Sequence, residues 1–188
     1  MPDIKGSQVR KKQKARPTRT NMPASVFIAL GSNLSGPVGQ VSQAINELKV
    51  LENSRFIAAS SLYKTTPMGP QDQPAYINAV VNIQTTQKPL ELLHSLQAIE
   101  NSHDRTRDTG RWGARTLDLD ILLYGIERSN TSELTLPHPG LQHRGFVLYP
   151  LYEIEPNLNV PHLASIKQLL DQLNEAMPPI ISTKNLEI

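Results

Sequence analysis

The sequence predicts an α+β domain with a ferredoxin-like β-α-β-β-α-β core, in which two helices cover one face of an antiparallel sheet. Short apolar or alternating segments, typical of strands, occur at 26–30, 55–63, 76–86 and 115–124. Two segments with helical spacing of apolar residues lie between them, in the order that this core requires. Glycine and proline residues interrupt the chain between the segments, as expected for turns.

Each predicted helix begins at a proline, which suits the first turn of a helix. Pro37 opens a helix over 37–51, and Pro89 opens a second one that leads into a basic loop at 103–114. A proline-rich loop at 64–74 separates the second and third strands. With both helices on one face of the sheet, we expect the other face to be free to carry a site.

C-terminal helical additions follow this core. The segment 141–154 has helical spacing but contains Pro150, which should end or kink the helix, and 165–176 is a weaker last helix. We therefore expect one domain over residues 25–188, preceded by a basic N-terminal extension at 1–24.

Length and composition restrict the class of protein. The chain has 188 residues, enough for one domain and a tail, and no cysteine, which excludes disulfides and thiolate metal sites. No apolar run approaches the roughly 20 residues of a membrane span, and no signal peptide is visible, so we expect a cytoplasmic protein, most simply a monomer.

The net charge of +2 is unevenly distributed. Residues 1–24 hold seven basic residues and one acidic residue, and almost no apolar residues with which to fold. We expect this extension to be disordered, although a nonspecific nucleic-acid contact or a targeting role remains open. The body has an excess of acidic residues, and we expect it to bind no nucleic acid.

The strand at 115–124 carries the most informative pattern in the chain. Residues two apart on a strand share a face, so Asp118 and Asp120 present two carboxylates on one side, roughly 7 Å apart. Leu117, Leu119 and Ile121 then point to the opposite side, into a core. Because aspartate is a poor strand former, this pair needs compensation, and a divalent cation such as Mg²⁺ would provide it.

The loop before this strand contains several arginines and the single tryptophan, namely Arg105, Arg107, Arg111, Trp112 and Arg115. The two aspartates can bind a metal ion, the arginines can bind phosphate, and the indole offers a flat stacking surface. This combination suggests an enzyme that transfers phosphate on a nucleotide. The alternative is an ordinary half-exposed edge strand beside a solvated basic loop.

Two other motifs have features of phosphate sites. Gly31 and Gly36 have the spacing of a P-loop, but Pro37 and Val38 stand where lysine and serine or threonine are needed. A tight turn, in which Asn33 accepts backbone hydrogen bonds, is the favoured interpretation. His138 lies between two prolines, which hold the backbone stiff if the ring meets a phosphate or a metal-bound oxygen.

Four motifs extend the pattern: I-A-L-G-S-N-L (28–34), G-P-Q-D-Q-P-A-Y-I-N-A (69–79), R-W-G-A-R-T-L-D-L-D-I (111–121) and L-P-H-P…H-R-G-F-V-L (136–148). Together they resemble the 6-hydroxymethyl-7,8-dihydropterin pyrophosphokinase family of folate biosynthesis, over about residues 26–156. The resemblance implies transfer of the terminal diphosphate of ATP to the pterin hydroxymethyl group with release of AMP, on a ferredoxin-like fold that uses two Mg²⁺ ions.

The resemblance also implies roles for individual residues. Asp118 and Asp120 would bind the metal, and Arg105 and Arg115 would act with them in catalysis by holding the triphosphate. The nucleotide-binding set would be Gln97, Glu100, Arg107, Trp112, Arg115, Ile121, Thr135, His138 and Arg144. The pterin would lie between the rings of Trp112 and Phe146, in a pocket edged by Thr65, Thr66, Met68, Gly69, Tyr76 and Asn78.

Two departures from the family pattern concern charge: Glu133 stands where some relatives have a basic residue near the nucleotide, and Asp108 reduces the positive charge of the basic loop. Two other functions remain as alternatives. A ferredoxin-like sheet could bind RNA, although that class stacks bases on sheet aromatics, which are few here. Another two-metal enzyme, a nucleotidyltransferase or a pyrophosphohydrolase, would use the same carboxylates.

Overall fold

An antiparallel sheet with helices on both faces forms the protein, as seen in a computed structural model that describes residues 22–105 and 113–182. The α+β class and the antiparallel sheet are therefore confirmed. In chain order the elements are β1 (Ala24–Ser32), α1 (Pro37–Lys49), β2 (Ser54–Ala59), β3 (Leu62–Thr65), β4 (Tyr76–Thr85), α2 (Pro89–Ser102), β5 (Asp118–Tyr124), β6 (Ser129–Asn130), β7 (Thr135–Leu136), α3 (Gly145–Ile154), α4 (Ile166–Leu173) and β8 (Ile180–Ser182).

The sheet is organised around β1 and β4, which pair along their whole length. Its order is β5-β1-β4-β3-β8, and β2 also pairs with β4 beside β3. The strand predicted at 55–63 is thus divided into β2 and β3. Between them, Ser60 bonds to Val80 of β4 through both its backbone N–H and its hydroxyl. This division and the added strand β8, which the sequence did not predict, are departures from the simple β-α-β-β-α-β arrangement.

The first face of the sheet is covered by α1 and α2, as predicted. Val41, Ile45 and Leu48 of α1 and Leu92 and Leu96 of α2 are fully buried in this core. The sheet side of this core contains Leu119 and Ile121 of β5 and Leu117 directly before it, which alternate along the chain and are at most 3% exposed. Alternation along β5 therefore directs its carboxylates to the opposite face.

That opposite face is only partly free, so the expectation of a face free to carry a site holds for one part of it. Helices α3 and α4 pack on one end of it, where Leu148 and Leu151 join Phe27, Val80 and Leu122 in a second core. Helix α3 is apolar around most of its circumference, and such a helix must be buried. Among the described residues, a cavity opens on this face at the end of the sheet where β5 begins.

Pro150 does not end α3, which continues through it to Ile154. A proline in a helix interior removes one backbone hydrogen bond. Pro150 is buried in the second core together with its helical neighbours, and this burial offsets the lost bond.

Within the described residues, no helix is both long and apolar enough to cross a membrane.

Glu153 attaches α3 to the sheet at the point where β2 and β3 separate. Its carboxylate accepts hydrogen bonds from the Ser61 backbone N–H at 3.0 and 3.1 Å, from the Ser61 hydroxyl at 2.7 Å and from the Tyr63 hydroxyl at 2.7 Å. Burial, together with the negative charge of Glu153, raises the pKa of Tyr63 well above its usual range. Glu153 of α3 therefore accepts the hydrogen bonds of residues that lie at and after the break between β2 and β3.

The Glu153→Gln substitution is expected to lower the free energy of unfolding by about 1 kcal/mol, because one of the donors from Ser61 or Tyr63 loses a charged acceptor. Urea-induced unfolding measures this change. Glu155→Gln, two residues further along and outside these hydrogen bonds, is the matched control. Equal stability of the two variants would contradict the role given to Glu153.

Candidate active site

The open end of the second sheet face carries a row of polar and small residues from three neighbouring strands. Asp118 of β5 lies beside Gly31 of β1, and Gly31 lies beside Asn78 of β4. A β-carbon added at Gly31 would come within 3.2 Å of the Asn78 side-chain oxygen. Glycine at this position therefore lets the β1 backbone form a floor between the acidic and the amide side chains.

A cavity of about 240 Å³ lies next to this part of β1. Most of the residues assigned to the pterin and the phosphates are brought together in its wall: Thr65, Thr66, Met68, Gly69, Tyr76, Asn78, Arg115, Asp118, Asp120, Arg144 and Phe146. Gln73 and Gly31 also line the cavity and were not selected from the sequence. Arg107 and Trp112 lie outside the described residues.

Asp118 is held between two guanidinium groups. Arg105 contacts one carboxylate oxygen at 2.6 Å, and Arg115 forms a hydrogen-bonded ion pair with the other. Arg105 is in turn paired with Glu100. Glu100, Arg105, Asp118 and Arg115 therefore form a chain of alternating charges, of which only Asp118 and Arg115 line the cavity, and the negative charge of Asp118 is compensated within the protein itself.

Glu100, which is predicted to line the nucleotide pocket, lies behind the acidic pair. Its side chain is 3% exposed and accepts a hydrogen bond of 2.8 Å from the backbone N–H of Leu119, between the two aspartates. The contact orients the backbone of β5 and the guanidinium of Arg105. Gln97, Ile121 and Thr135 are likewise absent from the wall of the cavity, and Ile121 is buried in the first core.

Asp120 has a less compensated environment than Asp118. Protein atoms around the Asp120 carboxyl displace part of its water, and this partial desolvation, together with the negative charge of Asp118, raises the pKa of Asp120 to about 6, against the opposing effect of Arg144, Arg115 and Arg105. Desolvation and a neighbouring negative charge both make the ionised carboxylate less favourable, and here they act together. A divalent cation would relieve this repulsion.

His138 faces the same carboxylate from the loop after β7. Its Nε2 lies 3.8 Å from Asp120, and its Nδ1 accepts a hydrogen bond of 3.1 Å from the backbone N–H of Gly140. Burial and the positive charge of Arg144 lower the pKa of His138 to about 4, so the ring is neutral near pH 7. Because Nδ1 is an acceptor, the single proton resides on Nε2, which can donate into the site.

The apolar part of the cavity lies beside these charges. Phe146 is the second residue of α3, and the guanidinium carbon of Arg144 lies 5.8 Å from the centre of its ring. Across the cavity, the Asn78 amide donates to the Thr65 hydroxyl at 2.8 Å, and the Tyr76 hydroxyl donates to the Gly113 carbonyl at 3.0 Å. An aromatic face next to an oriented amide suits a flat heterocycle with a polar edge.

The acidic pair suits magnesium better than zinc. Among the described residues, no cluster of three or more histidine, cysteine, aspartate or glutamate side chains could enclose a metal. Mg²⁺ requires fewer protein ligands, since it commonly binds one or two carboxylates together with water and substrate phosphates. Asp118 and Asp120 on one wall of an open cavity fit that pattern.

Asp120→Asn is expected to stabilise the metal-free protein at pH 8 by about 1 kcal/mol, a figure reduced for solvent screening of a carboxylate that is 42% exposed. The folded protein binds this proton more tightly than the unfolded chain does, so ionisation of Asp120 lowers stability as the pH rises from the ordinary carboxyl pKa to about 6. The stabilisation should therefore disappear near pH 4.

Thermal unfolding in the presence of a chelator tests this expectation, with a shift of about 2–4 °C at pH 8. Asp171→Asn, at an exposed position of α4, is the matched control. A shift that is the same at pH 4 and pH 8 would contradict the proposed repulsion.

Comparison with known proteins agrees with this geometry. Residues 27–156 match the model of the 7,8-dihydro-6-hydroxymethylpterin-pyrophosphokinase family. A 2-amino-4-hydroxy-6-hydroxymethyldihydropteridine pyrophosphokinase from Haemophilus influenzae is 49% identical over 79% of this chain and 92% of its own length. The protein of the same name from Pseudomonas aeruginosa is 46% identical over 77% of this chain and 89% of its own length.

Solved structures show a similar fold. The crystal structure of Plasmodium falciparum HPPK-DHPS with pteroate matches with a TM-score of 0.61 and 15% sequence identity, over 82% of this chain. This chain spans 44% of that longer protein. From the family match and the identity to the two bacterial enzymes, it follows that the chain belongs to the 6-hydroxymethyl-7,8-dihydropterin pyrophosphokinase family.

Proposed function

We propose that this protein transfers a diphosphate group from ATP to the hydroxymethyl group of 6-hydroxymethyl-7,8-dihydropterin, yielding AMP and the pterin diphosphate. One observation supports this above all: the paired carboxylates Asp118 and Asp120 share one cavity with an aromatic ring and an oriented amide. The similar bacterial proteins carry the name of this enzyme.

The apolar part of the cavity binds the pterin. Phe146 packs on one face of the ring, and Trp112 supplies the second face. The Asn78 amide, oriented by the Thr65 hydroxyl, pairs with the donor and acceptor groups on the edge of the ring. Buried donors and acceptors without partners are costly, so this edge distinguishes a pterin from other flat rings.

The charged part of the cavity binds the triphosphate. Arg115 and Arg105 offer guanidinium groups that pair with phosphate oxygens in a bidentate manner. Arg144 and the Nε2 proton of His138 approach from the opposite side, near Asp120. Asp118 and Asp120 would hold two Mg²⁺ ions, which supply charge neutralisation and orient the phosphate oxygens when bound.

The reaction forms a bond between the pterin hydroxymethyl oxygen and the β-phosphorus. The bond between that phosphorus and the oxygen that bridges it to the α-phosphorus breaks; AMP leaves with the bridging oxygen, and the hydroxyl proton is released. Such transfers depend mainly on alignment and charge neutralisation. The residues of this chain therefore act by placing the alcohol and the triphosphate in line and by excluding water, which would compete as acceptor.

The two other functions have less support. An RNA-binding module would present sheet aromatics on an open face, whereas α3 and α4 cover much of that face here. A nucleotidyltransferase or a pyrophosphohydrolase would share the carboxylates but would not need the Phe146 and Asn78 pocket. We further propose a cytoplasmic monomer with one catalytic domain over residues 25–188 and the basic extension at 1–24.

Identification of the products tests the proposed reaction. The protein, ATP, MgCl₂ and 6-hydroxymethyl-7,8-dihydropterin should give AMP and the pterin diphosphate in equal amounts, as resolved by chromatography and mass spectrometry. Formation of ADP, or of free pyrophosphate with an unmodified pterin, would overturn the proposal and favour another nucleotide enzyme. Omission of Mg²⁺ should abolish turnover.

Asp118→Ala and Asp120→Ala are each expected to lower kcat on the order of a thousandfold, because each removes a proposed metal ligand. Both variants should keep the fold, since Arg105 keeps its pairing with Glu100 and the repulsion between the two aspartates is lost. Steady-state kinetics and circular dichroism measure both effects, and Asp171→Ala is the control. Near-normal turnover of either variant would contradict the metal role.

Phe146→Ala is expected to weaken pterin binding by about tenfold, equivalent to about 1.4 kcal/mol, with little change in ATP affinity. Isothermal titration calorimetry with 6-hydroxymethylpterin and with a nonhydrolysable ATP analogue separates the two. Tyr152→Ala, an exposed aromatic residue on the same helix, is the matched control. Unchanged pterin affinity would count against the stacking role of Phe146.

A further inference from the structure

Asn33 lies in the turn after β1 and is almost completely buried, with 1% of its surface exposed. Its side-chain amide donates hydrogen bonds to the Gln73 side-chain oxygen at 3.1 Å and to the Pro74 carbonyl at 3.2 Å. Its side-chain oxygen accepts a hydrogen bond of 2.7 Å from the backbone N–H of Arg115. The oxygen accepts from a backbone N–H as expected, but from the distant Arg115 rather than from within its own turn, and the two donor contacts were not expected.

The backbone of the same turn reinforces the contact with Arg115. The N–H groups of Asn33 and Leu34 both donate to the Arg115 carbonyl, at 3.0 and 3.2 Å. The N–H and the C=O of Arg115 are therefore both bonded to one turn. These bonds fix the backbone from which the guanidinium of Arg115 extends to Asp118.

The other side of Asn33 holds the loop that edges the proposed pterin pocket. Gln73 lines the cavity and donates a hydrogen bond of 3.0 Å to the carbonyl of Pro70 in the same loop. Met68 and Gly69 of this loop also line the cavity. Asn33 thus lies between the loop at 66–75 and the start of the segment at 113–117. A hydrogen bond from Tyr76, directly after the loop, to Gly113 joins the same two regions.

We infer that Asn33 is a positioning residue, which sets the pterin loop at 66–75 against the phosphate-binding Arg115; this inference rests on the proposed function. The side chain must provide two donors and one acceptor at once. Among side chains of this length only asparagine does so, because aspartate has no donor when ionised and serine has a single one. Asn33 is enclosed by both loops and lies outside the cavity wall. It therefore acts on the pterin and phosphate parts of the cavity through the backbone that it holds.

Two substitutions separate the two sides of Asn33. Asn33→Asp keeps an oxygen that accepts from the Arg115 N–H but loses both donors to the loop. It should weaken binding of 6-hydroxymethylpterin about tenfold while the Arg115 amide stays protected from hydrogen exchange. Asn33→Ala loses all three bonds, so the Arg115 amide should lose protection and kcat should fall about 10- to 100-fold as well, since a displacement of about 1 Å can have this effect.

Asn46→Ala, an exposed asparagine on α1, is the matched control and should change none of these quantities. Pterin affinity is measured by calorimetry without nucleotide, and amide protection by hydrogen–deuterium exchange with mass spectrometry. Lowered thermal stability in Asn33→Ala together with unchanged pterin affinity, kcat and Arg115 protection would overturn the positioning role and leave a purely structural one.

A double-mutant cycle keeps the test decisive if Asn33→Ala does not fold. Gln73→Ala removes the partner of Asn33 in the loop, so its effect on pterin affinity should be less than additive with that of Asn33→Asp. Full additivity would overturn the inference. Amide exchange needs no substrate, so failure of this inference is distinguishable from failure of the proposed reaction, which is decided by the products of the wild-type protein.

Discussion

The repulsion between two carboxylates on one strand is the constraint on which the site depends. Asp118 and Asp120 share a face of β5 because Leu117, Leu119 and Ile121 occupy the other. The protein compensates the two unequally, since Asp118 contacts two guanidiniums and Asp120 keeps a raised pKa. Charge held close together in this way requires rigid support, because a small relaxation would remove the repulsion that favours a bound cation.

Two buried side chains provide that support through hydrogen bonds to the backbone on either side of Asp118. Glu100 fixes the β5 backbone at Leu119 from the helix side, and Asn33 fixes the backbone of Arg115 from the turn after β1. Both side chains are almost completely buried, where hydrogen bonds to polar groups are strongest and hardest to replace. The acidic wall is therefore held at two points, one on each side of Asp118.

Alternation and helix spacing were enough to predict the class of fold, the first core and the face on which the aspartates lie, because these depend on neighbours within a few residues. Contacts between distant residues were not predictable. The strand break at Ser60 and Ser61 depends on Glu153, 92 residues further along from Ser61. Helix periodicity showed Glu100 near the basic loop but could not show that it faces the Leu119 backbone, since this requires the packing of α2 on β5.

The charge arrangement also determines what binding of a magnesium nucleotide must do. In the protein without a magnesium nucleotide, Arg105 and Arg115 are the counter-ions of Asp118. Under the proposed function, the nucleotide brings cations for the carboxylates and phosphates for the guanidiniums, so each ion pair within the protein is exchanged for one with the ligand. For Asp118, Arg105 and Arg115 the cost of desolvation is then small, because each exchanges one charged partner for another. Metal and nucleotide should therefore bind together far better than either does alone, since a lone Mg²⁺ would have to displace the arginines, and a lone triphosphate would meet the two carboxylates.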